Sequence, residues 1–236
     1  GCLETPPAEA VGMFGPNLPV SPACWQSTDY APPPFRDRGF AAWLYCPVFM
    51  QNDSTAPLAG FRVLDLADDK GAYCGKALGD LGADVIKIEP PGGDPSRCHM
   101  PFYHNQPDLE RSLYWFGFNT SKRSITLDLT SPDGQELFRR LAATANAVVD
   151  SYPPGYLDNL GLGYRELCSI RPGLVLTSIT PFGQSGPYRD YKTCDLVSQS
   201  MGGLVYLCGD VEHPPVAGGG VQACFQAGLQ GALGTL

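Results

Sequence analysis

The chain has 236 residues, of which 43% are hydrophobic and 17% charged, a globular rather than a disordered composition. Its formal net charge of -8 argues against a broad basic surface for nucleic acid, and no apolar run reaches the length of a membrane span. The nine cysteines are scattered, odd in number and without a CxxC pair, and the three histidines lack metal-ligand spacing with them; this favours reduced, buried thiols over a disulfide framework and predicts no metal site.

Residues 1–56 are rich in proline and aromatics, as in "APPPFRDRGFAAWLYCPVF", and show no long periodic segment. The opening "GCLETPPAEAVG" lacks the basic start and apolar core of a signal peptide, so a cytoplasmic protein is expected, with mitochondrial or peroxisomal placement also compatible. From residue 57 the pattern changes. "FRVLDLA" predicts a strand, "YCGKALGDLGA" a helix with apolar residues at helical spacing, and "DVIKIE" a second strand bounded by "PPGGD". The unit recurs: "SITLDL" predicts a strand, and "SPDGQELFRRLAATA" a helix with Ser131 as N-cap and Pro132 at its first position. "AVVDSY" follows as a strand, "YRELCSI" as a short helix and "LVLTSITPFG" as another strand. Strands alternating with helices predict an α/β fold, a Rossmann-like doubly wound parallel sheet. Ligands bind such sheets at the carboxyl ends of the strands, here "LADDKGA", "EPPGGD", "LDLTS", "DSYPPG" and "TPFGQSGP".

Near the C-terminus, "GGGVQACFQAGLQG" places three glycines before a candidate helix. Glycine-rich loops before helices often cradle phosphate. Neither Lys-Ser nor Lys-Thr follows, however, and the spacing is not GxGxxG. Cys224 stands at the mouth of the helix, either as a small buried apolar residue or as a reactive thiol.

Six segments occur in an order that resembles family III CoA-transferases, the CaiB/BaiF family: "LAGFRVLDL", "LGADVIKIEPPGGDPSR", "NTSKRSITLDL", "PPGYLDNLGLGYREL", "RPGLVLTSITPFGQSGPY" and "CDLVSQSMGGLVYLCGD". Each is weak alone; in series, from about Pro57 to Leu236, they are specific. The resemblance implies that 57–236 form the first, incomplete half of a CoA-binding Rossmann-like large domain. It also implies partnership with a second copy of the fold, because family dimers interlock like two links. The stretch "LPVSPACWQSTDYAPPPFRDRGFAAWLYCPVF" resembles the family's small-domain segment, which normally comes late in a member. The chain then reads as the tail of one copy followed by the head of another, as in a tandem-repeat protein. The alternative is an unrelated proline-rich extension.

The same resemblance implies a substrate and a site. Coenzyme A, carried as acyl-CoA, would contact Lys70 and Gly71, the loop Leu127, Asp128, Leu129 and Thr130, Ser151 and Tyr152, Asn159, and the run Lys192, Thr193 and Cys194. CoA carries an anionic 3′-phosphate and a pyrophosphate, so cations and backbone N–H groups are wanted. Arg97, Lys122, Arg123 and Lys192 are the cations near strand ends or sheet-edge loops; the plain alternative for each is a solvated surface charge, evenly balanced for Lys122 and Arg123, while Lys192 is favoured because it abuts the expected reaction centre. Asn159 stands where one member of the family, formyl-CoA transferase, carries an arginine. Cys224 stands where the family has its nucleophilic aspartate, and Asp195 keeps an acid where the same member carries a glutamate. A thiol could hold an acyl group but could not become the carboxyl partner of CoA. The resemblance thus leaves three functions open: CoA transfer between an acyl-CoA and a carboxylic acid, a catalytically degenerate CoA-binding half, and an acyl-CoA racemase. The third lacks its proton-shuttling pair, since Cys194 and Cys224 occupy those positions.

Overall fold

The computed structural model describes residues 55–236, which fall in one compact unit. The reading of the proline-rich N-terminal stretch as small-domain-like lies outside the described residues.

Five strands are present: β1 (Arg62–Asp65), β2 (Asp84–Glu89), β3 (Lys122–Thr126), β4 (Ala147–Asp150) and β5 (Val175–Ser178). All neighbours pair in parallel, in the order β3-β2-β1-β4-β5. The expected doubly wound α/β sheet is therefore the observed one. Consecutive residues of the central strands feed opposite faces. Leu64, Ile86 and Val148 pack with Phe138, Ala142 and Leu167 on one side. Val63, Val85 and Val149 pack with Cys74, Leu78 and Ala232 on the other. A strand buried on both faces carries an unbroken apolar run, which is why these segments lack polar alternation.

Helix α1 (Ala72–Asp80) follows β1 and ends earlier than the sequence pattern suggests, because Gly82 takes φ 98° and turns the chain into β2. Helix α2 (Leu113–Asn119) was not anticipated: "LYWFGFN" is aromatic throughout and has no helical period. Its start is fixed by Ser112, whose hydroxyl accepts the Trp115 N–H at 3.1 Å. Helix α3 (Pro132–Ala142) begins as read from sequence, with Ser131 Oγ accepting the Gly134 N–H at 3.0 Å and Pro132 in the first turn. β3 stops at Thr126, short of the predicted "SITLDL", because Asp128 accepts the Thr130 N–H at 2.9 Å and its hydroxyl at 2.6 Å and so turns the chain. Then come α4 (Tyr156–Asn159), α5 (Tyr164–Ile170), α6 (Asp195–Met201), α7 (Leu204–Leu207) and α8 (Gln222–Thr235).

Six charges are packed together beneath the carboxyl ends of β1 and β2. Lys122 Nζ lies 2.7 Å from Asp65 Oδ2, and both side chains are essentially inaccessible. The same ammonium donates to Ala72 O at 2.7 Å and Asn119 Oδ1 at 2.8 Å. Lys87 pairs with Asp94 at 2.9 Å and donates to Ala67 O. Arg97 forks onto Glu89 at 2.6 and 2.8 Å while its guanidinium carbon sits 4.0 Å over the Trp115 ring. Burial alone would raise the Glu89 carboxyl, but the bonds from Arg97, Ser124 and the Asp94 N–H outweigh it and bring it down to about 2.

Two expectations follow. Asp65→Ala leaves Lys122 buried without its counter-charge and should cost about 3–5 kcal/mol in urea unfolding followed by circular dichroism. An unchanged midpoint would show that the pair carries no stability. Glu89 has a folded pKa below its unfolded value, so its contribution is present above about pH 4.5 and is lost as pH falls toward 2. Glu89→Gln should therefore flatten the acid limb of the stability profile in that window, a change checked by urea unfolding at successive pH values.

Candidate functional site

The strand order reverses between β1 and β4, so their following loops diverge and leave a crevice at the carboxyl edge. The two loops are tied across it. Ser151 Oγ donates to Asp68 Oδ1 at 2.6 Å and accepts the Asp68 N–H at 2.8 Å. Asp68 also accepts the Lys70 N–H at 3.0 Å and pairs with the Lys70 ammonium. Gly71 has no room for a side chain: a Cβ would lie 2.8 Å from Ala67 Cβ and 3.1 Å from Ile179 Cδ1. Tyr152 stacks on Tyr156 with ring centroids 4.5 Å apart. Lys70, Gly71, Ser151 and Tyr152, predicted separately, thus converge on one place.

The C-terminal helix α8 is brought to the same edge by glycines. A Cβ on Gly228 would lie 2.9 Å from Tyr73 Cβ and 3.0 Å from the Cys74 nitrogen, so α8 crosses α1 at backbone contact. Tyr73 and Phe225 meet with centroids 4.0 Å apart. This crossing puts the first turn of α8, and Cys224 in it, beside the start of α1. The Cys224 N–H donates to Asp195 Oδ1 at 3.0 Å, and Asp195 Oδ2 accepts from the Gln199 amide. Gln199 is buried and accepts the Gly218 N–H at 3.0 Å. The glycine loop is therefore pinned to α6 through Gln199, and Asp195 caps the α8 entrance.

The electrostatics here are acidic. Burial pushes the Cys224 thiol up to about 12, with the charges of Asp195 and Asp69 adding to the effect. Burial, then Asp68, raises the Asp69 carboxyl, with Lys70 opposing. Burial raises the Tyr114 hydroxyl of α2, and Asp69, Cys224 and Asp195 raise it further. Next to this cluster opens a cavity of about 820 Å³ whose walls include His99, Met100, Tyr114, Phe118, Val221 and Phe225. A second cavity of about 400 Å³ lies past β4 and β5, where buried Asp150 accepts from Ser178 Oγ at 2.6 Å.

The remaining predicted residues are dispersed. Leu127 to Thr130 form the turn after β3, two strands away from the crevice. Asn159 is exposed at the end of α4. Lys192 is exposed ahead of α6, with no hydrogen bond or ion pair among the described residues, and Thr193 bonds to Cys194 O at 3.0 Å. Cys194 is exposed at the α6 N-cap. Three of the four candidate cations are already engaged. Arg97 is held by Glu89, Glu110 and Trp115. Lys122 is buried on Asp65, and Arg123 pairs with Asp84 at the opposite, amino end of the sheet. Spacing alone missed Asp69, Tyr114 and Gln199. The only signal for Asp69 was its place in "LADDKGA".

Of the described cysteines, Cys74 is a buried free thiol, Cys168, Cys208 and Cys224 are half-buried and Cys194 is exposed, so uniform burial was a poor expectation. Among the described residues no cluster of three His, Cys, Asp or Glu side chains is arranged to hold a metal ion, and no helix is long and apolar enough to cross a membrane.

The sequence pattern of CoA-transferase family III matches residues 58–236, and the chain belongs to that family. It is 41% identical over 175 residues to the succinyl-CoA:(R)-benzylsuccinate CoA-transferase subunit BbsE of Thauera aromatica, covering 74% of this chain and 43% of that protein. It is 41% identical over 161 residues to the succinyl-CoA–D-citramalate CoA-transferase of Chloroflexus aurantiacus, covering 67% of this chain and 39% of that one. A solved CaiB/BaiF family protein from Brucella suis superposes with a TM-score of 0.72 at 40% identity, covering 76% of this chain and 48% of the other. The chain thus spans less than half the length of these relatives.

A thiol pushed up to about 12 is almost wholly protonated at neutral pH and is a poor nucleophile. Iodoacetamide at pH 7.5 should therefore modify exposed Cys194 well before Cys224, and Cys224 should react about tenfold faster per pH unit as pH rises toward 11. Peptide mapping of the alkylated protein checks this; early modification of Cys224 would show that its thiolate is accessible after all.

Proposed function

We propose that this chain is the CoA-binding portion of a family III CoA-transferase that moves CoA between an acyl-CoA and a carboxylic acid. The observation that carries the reading is the convergence of Lys70, Gly71, Ser151 and Tyr152 at the sheet's switch point, with Asp195 and Cys224 brought to the same edge by α8. A parallel sheet binds an elongated anionic ligand at this place, because the free N–H groups of loops and helix starts face it. Lys192 is the exposed cation ahead of α6 and supplies charge to a phosphate. Lys70, held by Asp68, positions the β1 loop. Arg97 acts at one remove, by fixing the chain that follows β2. Leu127 to Thr130 and Asn159 flank the ligand at its outer ends.

Cys224 occupies the position of the family's aspartate in this reading, and it does not act as the nucleophile. Its thiol is held protonated, and a thiol could accept only the acyl group. The racemase alternative loses support for a related reason: the positions of its proton-shuttling pair hold an exposed thiol, Cys194, and this high-pKa thiol. The reading of the chain as a degenerate half keeps support from two relatives whose names describe subunits, BbsE and the beta subunit of a succinyl-CoA–L-malate CoA-transferase. It is supported also by exposed apolar side chains on α6 and α7, Leu196, Met201, Tyr206 and Leu207, a surface suited to burial against a second copy of the fold.

Calorimetric titration with CoA and acetyl-CoA is the direct test. Both should bind to the complete protein, and Lys192→Ala should weaken each by about 3–10-fold, the worth of one charge-assisted contact at a partly solvated site. No heat at millimolar ligand, from protein shown to be folded, would overturn the proposal.

A further inference from the structure

We infer that the cavity of about 820 Å³ beside the start of α8 is an acyl pocket that selects an uncharged, ring-bearing acyl group over a dicarboxylic one. The inference rests on the CoA-transferase reading and names the class of acid that its site takes.

Three segments wall the cavity: residues 98–100 after β2, the rings of α2, and the first turn of α8. That turn also carries Cys224, whose N–H is held by Asp195 at 3.0 Å. Tyr73 links the cavity to the β1 loop. It stands two residues after Gly71, and its ring centroid lies 4.0 Å from that of Phe225 and 6.3 Å from that of Phe118. Both of those rings line the cavity. The loop proposed to hold CoA and the cavity wall are therefore joined within one turn of α1.

The walls are fastened to one another. Ser112 Oγ donates to His99 O at 2.7 Å and accepts the Trp115 N–H, which ties the segment after β2 to the start of α2. His99 meets Tyr114 nearly edge-on, at 67° with centroids 5.0 Å apart, and Tyr114 meets Phe118 at 4.7 Å. Aromatic walls favour a further ring, because edge-to-face and offset contacts add to the apolar area buried. The volume is also far more than a two-carbon acyl group fills.

Charge excludes the alternative. Among the described residues, no carboxylate, lysine or arginine lines the cavity. Its polar side chains are the His99 imidazole, the Tyr114 hydroxyl and the Gln222 amide, and Gln222 Nε2 already donates to Gly219 O at 2.8 Å. Arg97, next to Cys98 in the chain, is spent on Glu89, Glu110 and Trp115. Lys70 is paired with Asp68. A second carboxylate entering this chamber would lose water and gain no counter-charge, a desolvation cost that a ring does not incur.

The test uses the complete protein. Calorimetric titration should show phenylacetyl-CoA binding about 10–100-fold tighter than acetyl-CoA, the worth of one buried ring, and succinyl-CoA no tighter than acetyl-CoA. Val221→Trp puts an indole into the chamber from the α8 side. It should bring phenylacetyl-CoA to within about threefold of acetyl-CoA, with the circular dichroism spectrum still that of the folded protein. Met100→Arg, at a rim position that is 74% exposed and so tolerant of change, supplies the missing counter-charge and should tighten succinyl-CoA by about 3–10-fold. The acid 4-fluorophenylacetate, followed by fluorine NMR, reads the chamber without CoA: its line should broaden with the protein and sharpen again with Val221→Trp. Succinyl-CoA binding as tightly as phenylacetyl-CoA overturns the inference, and so does a ring preference that survives Val221→Trp. In either case, intact binding of free CoA leaves the transferase reading standing. A protein that binds the fluorinated acid but no CoA removes the transferase reading and keeps the chamber as a site for aryl acids. Binding of neither overturns both.

Discussion

The carboxyl edge of the sheet depends on a set of charges largely withdrawn from solvent. Asp65, Glu89 and Asp94 are neutralised by Lys122, Arg97 and Lys87 in pairs no longer than 2.9 Å. Three acids against three bases leave no net charge, so the low-dielectric interior carries no uncompensated ion. The arrangement is not a large source of stability, since desolvation offsets much of the attraction. What it supplies is position. Lys122 reaches from β3 across to Asp65 on β1 and on to the α1 backbone, Lys87 and Asp94 close the loop after β2, and Arg97 carries that closure to Trp115 on α2. One connected network thus sets where four elements begin or end.

With those elements fixed, the glycines of α8 can work as they do. Gly228 against Tyr73 and Cys74, and Gly231 against Ile179, allow the last helix to lie at van der Waals distance from α1 and from the end of β5. A side chain at either position would lift α8 and move Cys224 away from the crevice. Asp195 and Gln199 then bind the opposite side of that first turn. The carboxyl edge is thus held from below by buried charge and from the side by close backbone packing. A site that is mostly loop gains the rigidity it needs from those two sources.

Much of the fold was legible because its signals are local. "DVIKIE" matches β2 residue for residue, and Ser131-Pro132 marks the start of α3 because a cap needs only its own next three residues. α2 and α6 were not legible. "LYWFGFN" has helix-poor composition and forms a helix because Ser112, a local signal, caps it and because Trp115 is buried under Arg97, a tertiary circumstance. The site divides the same way. Loop positions such as Lys70 and Ser151 could be placed at strand ends from the alternation alone. Whether a cation is free could not, since Lys122 and Arg123 are adjacent in sequence and end in opposite states, one buried on Asp65 and one paired at the amino edge. The state of an acid is equally non-local: Asp68 and Asp69 are neighbours, yet only one finds Ser151, a residue 83 positions away.

This partition of charges bears on how an acidic chain can receive a polyanion. CoA's phosphates would be repelled by a surface of net charge -8 unless the local field differs from the global one. Lys87, Arg97 and Lys122 cannot supply that difference, because the buried network consumes them, and Arg123 is paired at the amino edge. The remaining donors are Lys192, the amides of the β1 and β4 loops, and the first turns of helices, which carry partial positive charge without a side chain. Such donors favour a phosphate approaching along the helix axis and do nothing to neutralise an acid lodged off it. Burial, with the charges of Asp195 and Asp69 adding to it, keeps the Cys224 thiol protonated and denies it the role of thiolate.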